Sequence, residues 1–271
     1  MGASEREVDI MLRRVSEMFG FKVRAADGDA GAIRDVYFDD GKWTVRYLVV
    51  DTGGWLGGRK VLLSPVSVLG VHWDSQELRV DLTKSQVESS PHIDLDQPVS
   101  RQQIVELHEY YGWPAYWGAS MTMGTATPGV YPMIMAGVDE VEQEMREEGP
   151  SEKYRGDPHH RSTRAVSGYD IEARDGEIGH VEDFLLSDKY WIIRYLLVDT
   201  RDWLPGRKVL IPPLSIERVD WAETAVRVSL TRDQVESSPE YDPSKPLERS
   251  YEVRLYEHYG RRGYWRKPTS D

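Results

Sequence analysis

Apolar residues fall in short runs along most of the chain. Gly31-Ala-Ile-Arg-Asp-Val-Tyr-Phe, Trp43 to Asp51, Arg59 to Leu63, Val66 to Trp73 and Glu77 to Leu82 are rich in Val, Ile, Leu and aromatics, and Gly, Asp, Pro and Ser separate them. Runs of this length and composition predict strands, because branched and aromatic side chains pack well on a pleated, half-buried surface. Five or six short strands at this spacing predict a small barrel or sandwich, and closing a barrel would also protect its edges. After the last strand, Thr83-x-x-Gln86 has the spacing of a capping box, in which hydroxyl and amide side chains satisfy the free backbone groups at a helix start. Ser100-x-x-Gln103 repeats that signature before Ile104, Leu107, His108 and Tyr111, whose spacing predicts a helix with one apolar face ending at Gly112. Near the start, Val8, Met11, Leu12, Val15, Met18 and Phe19 follow helical spacing and predict an amphipathic helix over 4–19.

The whole pattern occurs twice. Positions 20–117 align with 168–265 at a constant offset of 148 without a gap, and 45 of the 98 aligned positions are identical. Trp43 to Thr52 matches Trp191 to Thr200, and Thr83 to Pro91 matches Thr231 to Pro239, with Thr231-x-x-Gln234 again at capping-box spacing. The second terminal helix is predicted around Val253, Leu255, Tyr256 and Tyr259, before Gly260. A period this long means tandem domains and not a solenoid. The expected organisation is an N-terminal helix (1–19), repeat 1 with its helical tail (20–117), a linker (118–167) and repeat 2 with its tail (168–271). The linker begins with an uncharged, Met-containing stretch from Gly118 to Val138 that Gly, Thr and Pro interrupt too often for a transmembrane helix; it then turns acidic. A cut within 138–160 is expected to leave two folded halves.

Composition narrows the chemistry. Of the 271 residues, 34 are Lys or Arg and 46 are Asp or Glu, a net charge of -12, so the overall field repels DNA, RNA and anionic membranes. With no cysteine, there is no disulfide, thiolate metal site or thiol nucleophile. Among the seven histidines no pair has metal-ligand spacing on a predicted helix or strand, and His159-His160 reads as solvated linker. None is histidine in both copies. The Gly53 to Lys60 stretch resembles a phosphate loop, but it joins two strands, and its counterpart Arg201 to Lys208 has lost most of the glycines, so it reads as a hairpin loop. Asp35, Asp51 and Glu88 recur as Asp183, Asp199 and Glu236, with Arg46, Arg59, Arg194 and Arg207 as natural ion partners. No triad or nucleophile elbow is present. The sequence therefore implies no enzyme, no metal and no cofactor. Trp55 and Trp203 sit in the hairpin loops beside Arg59 and Lys60, and Arg207 and Lys208; such rings either plug the end of a barrel or anchor a contact.

These motifs carry a resemblance. Gly-x-x-Gly-x-x-x-Asp, Trp-x-x-Arg-Tyr-Leu, Trp-Leu-x-Gly-Arg-Lys-Val-Leu, Pro-x-Ser and Leu-Thr-x-x-Gln-Val-Glu-Ser-Ser-Pro occur in that order at 28–91 and again at 176–239. Together they resemble the PRC-barrel domain, a small all-β barrel found in the cytoplasmic part of the photosynthetic reaction-centre H subunit and in the ribosome-maturation factor RimM. The H subunit's N-terminal membrane helix and RimM's other domain have no counterpart here. The resemblance implies a mainly β chain of two tandem PRC-like barrels, each with a C-terminal helical extension. It implies a cytoplasmic, non-catalytic protein-interaction or assembly module with no membrane span, whose partner is another protein or a second copy. The hairpin loops and aromatic tails are then the contact candidates: Trp55, Arg59, Lys60, Tyr116, Trp117, Trp203, Arg207, Lys208, Tyr264 and Trp265. One alternative is a ribosome- or RNA-associated factor like RimM, which the charge disfavours; the other is a small-molecule binder or enzyme that uses the cleft between barrels.

Overall fold

A computed structural model describes residues 11–53, 58–91, 99, 101–114, 160–200 and 207–265. The fold is mainly β, and the described residues divide into two compact units: Ser16–Arg164, and Ala165–Asp271 together with the N-terminal segment through Val15.

In the first unit, β2 (Lys22–Ala25), β3 (Gly28–Asp39), β4 (Thr44–Asp51), β5 (Lys60–Leu63), β6 (Val68–His72) and β7 (Glu77–Val80) form a sheet of order β6-β7-β2-β3-β4-β5. All its pairings are antiparallel except β2 with β7. The expected closure into a barrel is not seen: among the described ladders nothing joins β5 to β6, and the short turn Pro65–Ser67 spans that gap instead. The core residues Val23, Ile33, Val36, Phe38, Tyr47, Leu48, Leu62, Leu63 and Leu78 are buried.

β3 is the longest strand of this unit, and it bends. Register shifts fall between Ile33 and Asp35 and between Tyr37 and Phe38, so one strand can turn a corner while keeping its ladder with β4. Gly31 allows the bend. Its φ is +132°, and a Cβ there would collide with the backbone of Asp51 and Thr52. Gly179 occupies the same position in the second repeat, against Asp199 and Thr200. At the turn between β3 and β4, Trp43 adopts φ 54° and stacks on Phe38 at 5.3 Å; Trp191 repeats the conformation at φ 57°.

The second unit repeats the order, with β9 (Asp170–Ala173), β10 (Gly176–Ser187), β11 (Ile192–Asp199), β12 (Lys208–Ile211), β13 (Ile216–Asp220) and β14 (Ala225–Val228) arranged β13-β14-β9-β10-β11-β12. Two of the three expected capping boxes form as the sequence predicts, and the third, at Ser100, lies outside the described residues: α1 (Lys84–Glu88) starts at Thr83, and its counterpart Arg232–Glu236 starts at Thr231. The terminal helices are α2 (Arg101–Tyr111), followed by Gly112 at φ 67°, and Arg249–His258, with Gly260 at φ 63°.

One expectation is corrected. The helix over 4–19 lies outside the described residues as far as position 10, and beyond that it is not the expected α-helix. Leu12–Arg14 is a strand, β1, and Val15–Met18 a single tight turn. The apolar positions still serve the core, since Val15 and Met18 are fully buried. β1 pairs with β10 of the second repeat, while β8 (His160–Ser162), which precedes repeat 2, pairs with β3 of repeat 1. β1 and β8 are themselves related by the offset of 148. His160, read from sequence as solvated linker, is buried on β8.

The crowding at Gly31 makes a contrast measurable. Gly31→Ala combines backbone strain with a backbone clash and should cost about 3 kcal/mol of unfolding free energy. Gly20→Ala, at φ +90° with open space around it, should cost about 1 kcal/mol. Denaturant unfolding of the two variants checks the difference.

Candidate interaction surface

β6 is the terminal strand of its sheet. It reads Val68-Leu69-Gly70-Val71-His72 and carries no acid, lysine or arginine. Leu69 is 67% exposed, one of the most exposed large apolar side chains among the described residues. The hairpin after it carries Trp73, edge-on to Phe21 at 5.2 Å. The equivalent strand β13 reads Ile216-Glu217-Arg218-Val219-Asp220, with Glu217 replacing Leu69. Glu217 lies 3.9 Å from Arg174, and Arg218 pairs with Asp220 at 3.2 Å. Charges on an edge strand discourage pairing with another chain. The two repeats thus share a backbone and differ within the edge strand itself, Leu69 and Gly70 in the first against Glu217 and Arg218 in the second, while the second has its exposed large apolar residues beside its strand, at Leu214 and Trp221.

Of the ten contact residues expected from sequence, six lie among the described residues, and five of these make contacts within the chain. The Arg59 guanidinium donates to the carbonyls of Glu88, at 3.0 Å, and Ser90, tying the β5 edge to the end of α1. Arg207 makes the same bond to Ser238. Lys208 pairs with Glu182, whereas Lys60 is exposed at the start of β5. Tyr264 and Trp265 fold inward: Arg194 lies over the Tyr264 ring at 4.0 Å, and Arg249 over Trp265 at 4.5 Å. Trp55, Tyr116, Trp117 and Trp203 lie outside the described residues. The expected ion pairs also rearrange. Arg46 pairs with Asp39 at 2.8 Å and Arg34 with Asp51 at 3.1 Å, while Asp35 accepts from Ser162, Thr163 and the Arg164 amide.

Beneath the terminal helices lie two polar clusters that the sequence does not announce. In the first repeat, the Tyr47 hydroxyl meets His108 Nε2 at 2.9 Å, while His108 Nδ1 lies 2.9 Å from the Pro114 carbonyl. Burial pushes His108 down to about 4. Burial alone would raise Asp39, but the charge and hydrogen bonds of Arg46 outweigh it and hold the carboxyl below its ordinary range. In the second repeat, Glu252 replaces Ile104 and Tyr256 replaces His108. Glu252 is buried and accepts from Tyr195 at 2.7 Å, Tyr264 at 2.8 Å and Arg249 at 2.6 Å. Burial raises the pKa of Tyr195 and Tyr264 and lowers that of Arg194. Within the clusters the polar atoms of Tyr47, His108 and Glu252 are satisfied by neighbouring groups of the same repeat, which is structural work. Among the described residues no group of His, Asp and Glu could hold a metal ion, and no helix is long and apolar enough to cross a membrane.

Residues 11–87 match the family model of the PRC-barrel domain. No curated protein matches the chain.

The His108 environment sets a pH dependence. Unfolded, its imidazole takes up a proton near 6.5; folded, only near 4. The unfolded chain binds more protons between those values, so stability is present above about 6.5 and is lost as pH falls toward 4. Denaturant midpoints measured from pH 7 to pH 4 should fall, and His108→Gln should flatten that slope.

Proposed function

We propose that this protein is a non-catalytic interaction module that binds a protein partner through the apolar edge of its PRC-barrel domain. The observation that carries the reading is the contrast at a single repeat position, where Leu69 stands exposed on β6 and Glu217 on β13. An edge strand offers a row of backbone donors and acceptors, and an added strand would gain main-chain hydrogen bonds together with a pocket for Leu69. The family supports a binding role. Among the described residues no cluster of metal-ligating side chains favours the alternative of a metal-dependent enzyme. A cytoplasmic location belongs to this reading, as does likeness to the barrel of the reaction-centre H subunit. Association with RNA or the ribosome would have to overcome the net charge of -12.

Site-specific photo-crosslinking in the native cells tests it. A crosslinker at position 69 should capture a defined protein that resists nuclease, whereas one at position 217 should not. Leu69→Lys should reduce recovery of that protein at least tenfold. Nuclease-sensitive capture would replace this reading with the RNA one, and the absence of capture from position 69 would overturn it.

A further inference from the structure

The strands β1 and β8 occupy equivalent places before the two repeats, yet each completes the sheet built by the other repeat. The free edge of β3 shows why this matters. Along 28–32 it pairs with β2; at Ile33 it bonds to Gly20 and Phe21; along Tyr37–Asp39 it pairs with His160–Ser162. The last of these segments is more than 120 residues away in the chain. Without it, one end of β3 would have no partner on that side.

The contact is built from more than three ladder pairs. Arg161 bonds Asp40 at 2.7 Å, and the two side chains are only 14% and 9% exposed. Asp35 accepts from Ser162 Oγ at 2.5 Å, Thr163 Oγ1 at 3.1 Å and the Arg164 amide at 3.2 Å. The Arg164 guanidinium lies 4.4 Å above the Phe19 ring, and the His160 ring packs edge-on to Tyr47 at 5.7 Å. In the other direction, Leu12, Arg13 and Arg14 pair with Ser187, Leu186 and Leu185. The offset of 148 carries Arg161 back to Arg13, and Asp35 and Asp40 forward to Asp183 and Asp188. The arginine and both acids thus recur at the second exchange site.

From these contacts we infer that residues 12–14 and 160–164 are reciprocal latches, segments that each add a three-residue strand to the opposite repeat and hold the polypeptide together without the covalent linker. A cut in the linker therefore leaves two fragments that each lack a strand the other supplies. The ligand for the acidic end of β3 is a basic peptide of this chain, His160-Arg-Ser-Thr-Arg164, which is extended over His160–Ser162 and turns helical at Thr163. A buried ion pair with a carboxylate hub makes that recognition specific, because removing either partner leaves a buried charge uncompensated.

The test uses the full chain with a protease recognition sequence inserted after residue 140, outside the described residues. After cleavage, the fragments 1–140 and 141–271 should co-elute at the uncut mass and part only in denaturant. Two separate half-size species would overturn the proposal. In the cleaved protein, Arg161→Met, or Asp35→Ala together with Asp40→Ala, should weaken fragment association at least tenfold, while the uncut variants keep the far-UV circular dichroism of the parent. Asp40→Arg combined with Arg161→Asp should recover part of that affinity. Undiminished association in the first two variants would mean that other contacts hold the fragments, and the latch assignment would fall.

Discussion

Each sheet depends on one long strand being able to bend. β3 and β10 run twelve residues apiece and serve neighbours on both edges, which a straight strand in so small a sheet could not do. The bend needs a place where two backbones nearly touch, and only glycine can stand there: Gly31 against Asp51, Gly179 against Asp199. Beside that corner stand the Arg59 and Arg207 clamps, whose carbonyls accept from the amides of Thr52 and Thr200. The corner sets which half of the strand edge is left for a segment from elsewhere in the chain.

Much of this was legible in the residues. Strands β3 to β7 fall within one to three residues of the apolar runs, because pleated, half-buried segments impose both their composition and their length. Thr83 and Thr231 announced their helices, since a capping box is a purely local arrangement of side chain and backbone. The latch strands were not legible. Three residues show no periodicity, and Leu12-Arg13-Arg14 sits among apolar positions that also satisfy helical spacing; its strand character comes from β10, far away in sequence. The buried polar clusters were equally silent. Glu252 looks like any surface acid on a helix until Tyr195, Tyr264 and Arg249 are seen around it.

The two repeats diverged where the shared backbone leaves a choice. Beneath the terminal helix, one copy has an isoleucine and a histidine where the other has a glutamate and a tyrosine, and the second pair needed a surrounding arginine and hydroxyls to be tolerated. On the edge strand, the first copy stays apolar at Leu69 and the second carries Glu217. Duplicated domains that keep their sheet order and change only such positions can divide labour, one copy holding the assembly's form and the other facing outward.

Discontinuous units also put synthesis and folding out of step. Residues 12–14 leave the ribosome early, but their partner strand β10 and its neighbour β11 end only at Asp199. At about 5–20 residues per second, the first segment waits roughly ten to forty seconds for the surface it joins. For that interval its Leu and two Arg side chains are exposed, and the first repeat is itself incomplete until residue 164 has emerged. The growing chain therefore spends most of its synthesis with open strand edges, a state in which a chaperone or a second nascent copy would find its easiest point of attachment.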